Sequence, residues 1–199
     1  MNKIVISGEI DKNFTASYKS CGERFLKTTI KTKRKSGFID EIPLVFSEVF
    51  LKDMNNAPGN RIEIVGEVRN FNHDNHSYLF VFVKEVRAYD GHDKNTVEIK
   101  GFICKGPTYK ETKKTNQKLA KFLIASNRAY GKSDYIPCMA WDRNAMMVKE
   151  YRVGNEVTAN GRLQSRSYIK KYLDGSSEKK FTYELSLKEV ERRMEKIEN

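Results

Sequence analysis

The residues most capable of chemistry are aromatic and cationic side chains interleaved in the second half of the chain. Asn127-Arg128-Ala129-Tyr130-Gly131-Lys132 places a tyrosine between cations where a hairpin tip is expected. Tyr135, Trp141 and Tyr168 follow at or beside expected strand ends, with Arg143, Arg162, Arg166, Lys170 and Lys171 nearby. Such a set suits a groove where unpaired bases stack on rings, each stack worth ~1–3 kcal/mol, while cations neutralise phosphate. The competing role for any one aromatic in a strand is core packing. Tyr130 and Tyr168 escape it best, because polar residues surround both; Trp141 escapes it least by pattern.

Charge points the same way. The 199 residues carry a formal net charge of +11, which implies a polyanionic partner, nucleic acid before an acidic membrane. A merely solubilising basic surface is the alternative, and distribution weighs against it. Residues 1–93 hold 14 of the 37 basic and 13 of the 26 acidic side chains, leaving 23 and 13 for residues 94–199. The excess therefore sits in one half.

The elements that must position these residues come from a duplication. Arg34-x-x-Gly37-x-x-Asp40-x-Ile42-Pro43 returns as Arg128-x-x-Gly131-x-x-Asp134-x-Ile136-Pro137. Gly59-Asn60 through Gly66 returns as Gly154-Asn155 through Gly161, Ile4–Gly8 as Val97–Gly101, and Lys84-Glu85-Val86 as Lys188-Glu189-Val190. Four matches in one order at nearly constant offset divide the chain into domains at residues 1–93 and 94–199. A longer loop after Tyr168 absorbs the larger final offset, and the polar stretch 89–95 is the expected linker.

Alternating apolar residues predict strands Lys3–Ile10, Phe25–Thr32, Phe38–Phe46, Arg61–Phe71 and Tyr78–Ala88 in the first copy. The second copy gives Thr96–Cys104, Leu119–Asn127, Tyr135–Trp141, Glu156–Ser167 and Phe181–Val190. The one helical interlude in each, Ser47–Met54 and Asn144–Tyr151 with Asn144 as N-cap, lies between the third and fourth strands. That order predicts an all-β fold of two tandem five-stranded OB barrels, each with a short helix between strands 3 and 4.

Three blocks then carry a family resemblance. Leu119–Arg128, Asp134-Tyr135-Ile136-Pro137-Cys138-Met139-Ala140-Trp141 and Gly161-Arg162-Leu163-Gln164-Ser165-Arg166-Ser167-Tyr168 resemble the bacterial single-stranded DNA-binding protein family in order and spacing. The likeness covers residues 96–190 and, through the duplication, weakly 3–88. It implies that Tyr130, Tyr135, Trp141 and Tyr168 occupy base-stacking positions and that Arg128, Arg162 and Arg166 lie near the strand path. In the first copy Ser36 and Glu41 stand where Tyr130 and Tyr135 do. Phe46 remains opposite Trp141, Phe71 or His73 could replace Tyr168, and Lys31, Lys33, Arg34 and Lys35 could touch phosphate. A secondary binding surface or an oligomerisation domain is the expectation for that copy. Family members usually end in an acidic tail with a hydrophobic tip, whereas Arg192–Asn199 is mixed in charge. The resemblance is thus to a tail-less phage- or plasmid-like version, and partner recruitment through a tail is not expected.

Other signals are discounted. His73-Asp74-Asn75-His76 has a metal-like spacing without a third ligand and reads as a turn. Cys21, Cys104 and Cys138 form no CxxC, so no zinc ribbon or disulfide framework is expected and a reducing cytoplasm fits. No phosphate-cradling, nucleophile-elbow or HExxH motif occurs, so neither catalysis nor a cofactor is expected. The first residues read as a strand rather than a signal peptide, and no run is long enough for a membrane span. The expected function is sequence-tolerant binding of single-stranded DNA in replication, recombination or mobile-element transfer. Replication or transfer proteins are the candidate partners, and a dimer would supply the four barrels that the resemblance implies. The alternatives are single-stranded RNA binding, since stacking does not report the 2′-hydroxyl, and a primosomal-type adaptor that contacts other proteins.

Overall fold

The computed structural model describes residues 1–73, 76–112, 116–172 and 174–193, without the side chains of His73, His76 and Tyr130. The HxxH segment and the chain end 194–199 therefore lie largely or wholly outside the described residues. Strands dominate. In the first repeat they are β1 (Asn2–Ile10), β2 (Thr15–Ser20), β3 (Glu23–Lys33), β4 (Ile39–Ser47), β5 (Arg61–His73) and β6 (His76–Ala88). Alternation sends Ile4, Ile6, Ile30, Ile42, Leu44, Ile64 and Val81 into one fully buried core. β1 pairs antiparallel with β5, β5 with β6, β6 parallel with β4, and β4 antiparallel with β3. β3 returns to the end of β1 at Glu9 and Ile10, closing the barrel.

The second repeat has β7 (Asn95–Glu111), β8 (Lys118–Asn127), β9 (Ser133–Trp141), β10 (Glu156–Lys171) and β11 (Ser177–Arg192). Its ladder repeats the first: β7 with β10, a parallel β11–β9 contact, β9 with β8, and β8 back to β7. This is the tandem OB fold. Helix α1 (Leu51–Asn55) follows a 3-10 turn at Glu48–Phe50 capped by Ser47, whose Oγ accepts from the Val49 amide. It buries Met54 in the first core. Helix α2 (Asp142–Val148) starts two residues before the predicted cap. Asn144 lies inside it and donates its side-chain amide to the Lys188 carbonyl, so it is a tie to β11 rather than a cap.

The repeated glycines have a steric reason. A Cβ on Gly8 would meet the Lys31 carbonyl oxygen at 2.0 Å, and one on its counterpart Gly101 the Ala125 oxygen at 2.3 Å. Gly66 and Gly161 meet Phe82 and Ser186 oxygens at 2.3 and 2.2 Å. Strands cross too closely at these points for any side chain.

Two compact units form: Met1–Lys3 with Thr96–Arg162 and Leu185–Asn199, and Ile4–Asn95 with Leu163–Glu184. The far part of the β10–β11 hairpin thus belongs with the first repeat. The stretch 89–95 is fastened down rather than loose. Ser7 donates its amide to the Lys94 carbonyl at 2.9 Å and accepts the Lys94 amide on Oγ at 2.7 Å. Arg61 holds Asp93, and Lys94 reaches Glu63 at 2.6 Å.

Candidate nucleic-acid interface

In the first-named unit, β9 turns Ile136, Cys138 and Ala140 into the core, which puts Tyr135 and Trp141 on the outward face. Tyr135 is 43% exposed and Trp141 is half-buried. The register places Ala125 of β8 between Tyr135 and Phe102 of β7, which is equally exposed at 43%. Phe102 was not expected in the site. Its signal was present in the alternation Val97, Ile99, Gly101, Ile103, which leaves residue 102 pointing outward. Lys121, opposite Met139 on this outer face, is exposed, as are Lys132, Arg143 and Arg162. The backbone of Tyr130 lies in a 3-10 turn at Ala129–Gly131; its stacking role falls on a side chain outside the described set.

Arg128, expected near the strand path, is engaged by a carboxylate. Its Nε donates to Asp134 at 2.6 Å and its Nη2 to the other oxygen of the same carboxylate. Asp134 is fully buried, so this guanidinium neutralises a carboxylate held away from solvent. Arg34 does the same in the first repeat, donating Nε and Nη2 to buried Asp40 at 2.6 Å each. It also lies over the Phe38 ring, 4.4 Å from its centroid. The repeated Arg-x5-Asp spacing is therefore a structural pair. Phe46 is also corrected: it is 0% exposed and meets Phe14 edge-on at 5.4 Å, so it packs the core and cannot stack on a base.

In the other unit the hairpin carries a second set. The predicted polar loop 169–180 is instead a continuation of both strands, turning at Gly175 with φ 83°. The Asp174 carboxylate accepts the Ser176 amide and hydroxyl, which fastens the turn and holds the carboxyl below its usual range. Tyr168 is 40% exposed, with Arg166 and Lys171 open to solvent and Lys170 half-buried. Tyr172 and Phe181 are exposed too. Lys170 sits 5.1 Å from the Tyr172 centroid and Lys179 5.4 Å from that of Phe181. These two rings were missed because a Ser- and Gly-containing stretch reads as a loop. The first repeat has its own exposed rings, Phe71 stacked on Tyr78 at 5.1 Å, and Tyr18 lying at 4.6 Å on the buried ring of Phe25. Arg69 and Lys84 near Phe82 share Glu67, which offsets their charge.

No group of three or more potential metal ligands occurs among the described residues, nor a helix long and apolar enough to cross a membrane. In its folding, the chain is similar to the single-stranded DNA binding protein from Thermus aquaticus. The wild-type crystal structure superposes with a TM-score of 0.74 at 15% identity, over 98% of this chain and 94% of that one. A deletion mutant of the same protein gives 0.74 at 16%, over 99% and 96%. In sequence, single-stranded DNA-binding protein 3 of Clostridium acetobutylicum is 31% identical over 103 residues, 49% of this chain and 69% of that protein. The family profile described as the Single-strand binding protein family matches residues 94–193, the half that carries Phe102, Tyr135, Trp141 and Tyr168, and the chain belongs to that family.

Proposed function

We propose that the chain binds single-stranded DNA with little regard to sequence, through two surfaces. One is the outer face of β7, β8 and β9 with Phe102, Tyr135 and Trp141; the other is the β10–β11 hairpin with Tyr168, Tyr172 and Phe181. The observation that carries this is exposure: ordinary cores bury such rings, yet here Phe102, Tyr135, Tyr168, Tyr172 and Phe181 stand in solvent, with Trp141 half open, among Lys121, Arg143, Arg162, Arg166, Lys170 and Lys171. Rings accept any base by its face, and cations hold the backbone. The family is one of binding proteins, and the chain is a binding protein rather than an enzyme.

Residues 1–93 and 94–199 serve as the two OB domains, the second supplying most contacts. Replication, recombination or mobile-element transfer is the setting, in the cytoplasm, with replication or transfer proteins as partners and a dimer presenting four barrels. The test is competition between oligo-dT, oligo-U and duplex of equal length. Oligo-dT binding with weak competition from duplex supports the reading; equal affinity for duplex sinks it. Preference for oligo-U would favour RNA.

A further inference from the structure

The carboxylate of Asp40 does more than neutralise Arg34. Its Oδ1 accepts the Ser165 backbone amide at 2.7 Å and the Ser165 hydroxyl at 3.0 Å. Arg34 Nη2 completes the grip by donating to the Ser165 carbonyl at 3.3 Å. Two residues earlier, Asn95 does the same to Leu163, accepting its amide at 3.0 Å and donating to its carbonyl at 2.7 Å. Between them, buried Gln164 donates to buried Glu184 of β11 at 2.9 Å. Side chains thus take both backbone polar groups of alternate β10 residues, where a neighbouring strand would otherwise pair. The exposed residues Arg166, Tyr168 and Lys171 begin directly after the second grip.

We infer that Asp40, with Arg34 and Asn95, is a positioning residue for nucleic-acid binding. It fixes strand β10 at Ser165 and so sets the direction in which Arg166, Tyr168 and Lys170 are offered. The first repeat then contributes to binding as the seat of the hairpin, without touching the ligand at these residues. This rests on the function proposed above, and its geometry predicts two separable effects. Side chains three residues apart on a strand are ~10 Å apart, so Asp40 cannot replace Tyr168; it acts only through the backbone between them.

The test is a double-mutant cycle in the full chain, read by oligo-dT affinity and by amide hydrogen exchange. Asp40→Ala should speed exchange at Ser165–Lys171 while leaving the amides of Ile30 and Ile42 protected. It should weaken oligo-dT binding about tenfold, within the range over which networked residues couple. In a Tyr168→Ala, Arg166→Ala background the further loss should largely vanish. Unchanged exchange at Ser165–Lys171, or a loss of affinity that simply adds, overturns the inference. If the wild-type chain ignores oligo-dT, the functional proposal fails, and exchange alone decides the positioning claim. Should Asp40→Ala not fold, Ser165→Ala removes one bond and leaves the Arg34–Asp40 pair intact. It should give the same pattern at about half the logarithmic effect, and its absence overturns the inference equally.

Discussion

Phe102 of β7 and Tyr135 of β9 stand on either side of Ala125 of β8, so the strand between two exposed rings offers only a methyl group at that point. A base can lie against that low floor and meet a ring edge or face. Phe102→Ala and Tyr135→Ala should each weaken oligo-dT binding by ~1–3 kcal/mol, roughly five- to 150-fold. The double variant should lose less than the sum, because the two rings share one site. Melting temperature, followed by circular dichroism, should hardly move. A large drop in melting temperature would mean that these rings pack rather than bind.

Arg128 and Phe46 should behave in the opposite way. Arg128→Ala takes the guanidinium away from buried Asp134 and should cost ~3–5 kcal/mol of stability. Arg128→Lys should recover only part, since an ammonium cannot match both carboxylate oxygens. Phe46→Ala should cost a similar ~3–5 kcal/mol through the cavity it opens. Denaturant unfolding measures these losses. Affinity measured well below the melting point should fall far less than for Tyr135→Ala.

Trp141 is the only tryptophan, and it is half-buried at the end of β9. Oligo-dT should quench its emission in part, because the residue is partly open to solvent. Emission unchanged at saturation would remove Trp141 from the interface.

Salt should act strongly. Each phosphate neutralised by the exposed cations contributes about −0.7 to the slope of log K against log salt for a single strand. Lys171→Ala or Arg143→Ala should make that slope shallower by about that amount, whereas Arg128→Ala, whose charge is engaged by Asp134, should leave it unchanged. Titrations at several salt concentrations separate the two cases.

The thiols report on the fold independently. Cys21 is exposed, Cys104 intermediate and Cys138 buried. Burial also raises the Cys104 thiol above its usual range, which lowers its thiolate fraction. Modification by a disulfide reagent at neutral pH should therefore proceed in the order Cys21, Cys104, Cys138, with Cys138 reacting only on unfolding. Early labelling of Cys138 would contradict the core.

Much of this was legible before any coordinates, because alternation and repeated glycines report directly on strands that bury one face. The ten core strands follow from that pattern. β2 did not, since every residue of Thr15–Ser20 is exposed and no inward face marks it. The hairpin beyond Tyr168 was hidden for a similar reason, its strands being outward on both sides. The carboxylate pairs of Arg34 and Arg128 were not legible, because a cation near a turn looks the same whether it awaits a phosphate or grips a carboxylate six residues on. Burial of Asp40 and Asp134 decides that, and burial of a charge is set by tertiary packing. Phe46 matches Ala140 rather than Trp141 at the offset that aligns Ile42-Pro43 with Ile136-Pro137, so it shares the inward face and Trp141 the outward one.

At Gly8, Gly66, Gly101 and Gly161 a single added carbon collides with a backbone oxygen of the crossing strand. A library randomised across the whole gene and selected for folded protein should therefore come back almost blank at those four codons while varying freely around them. The same filter has acted since the two halves parted. Surface letters drifted until Glu41 stood in one copy where Tyr135 stands in the other, but at the crossings both copies still carry the one residue that lets the strands pass.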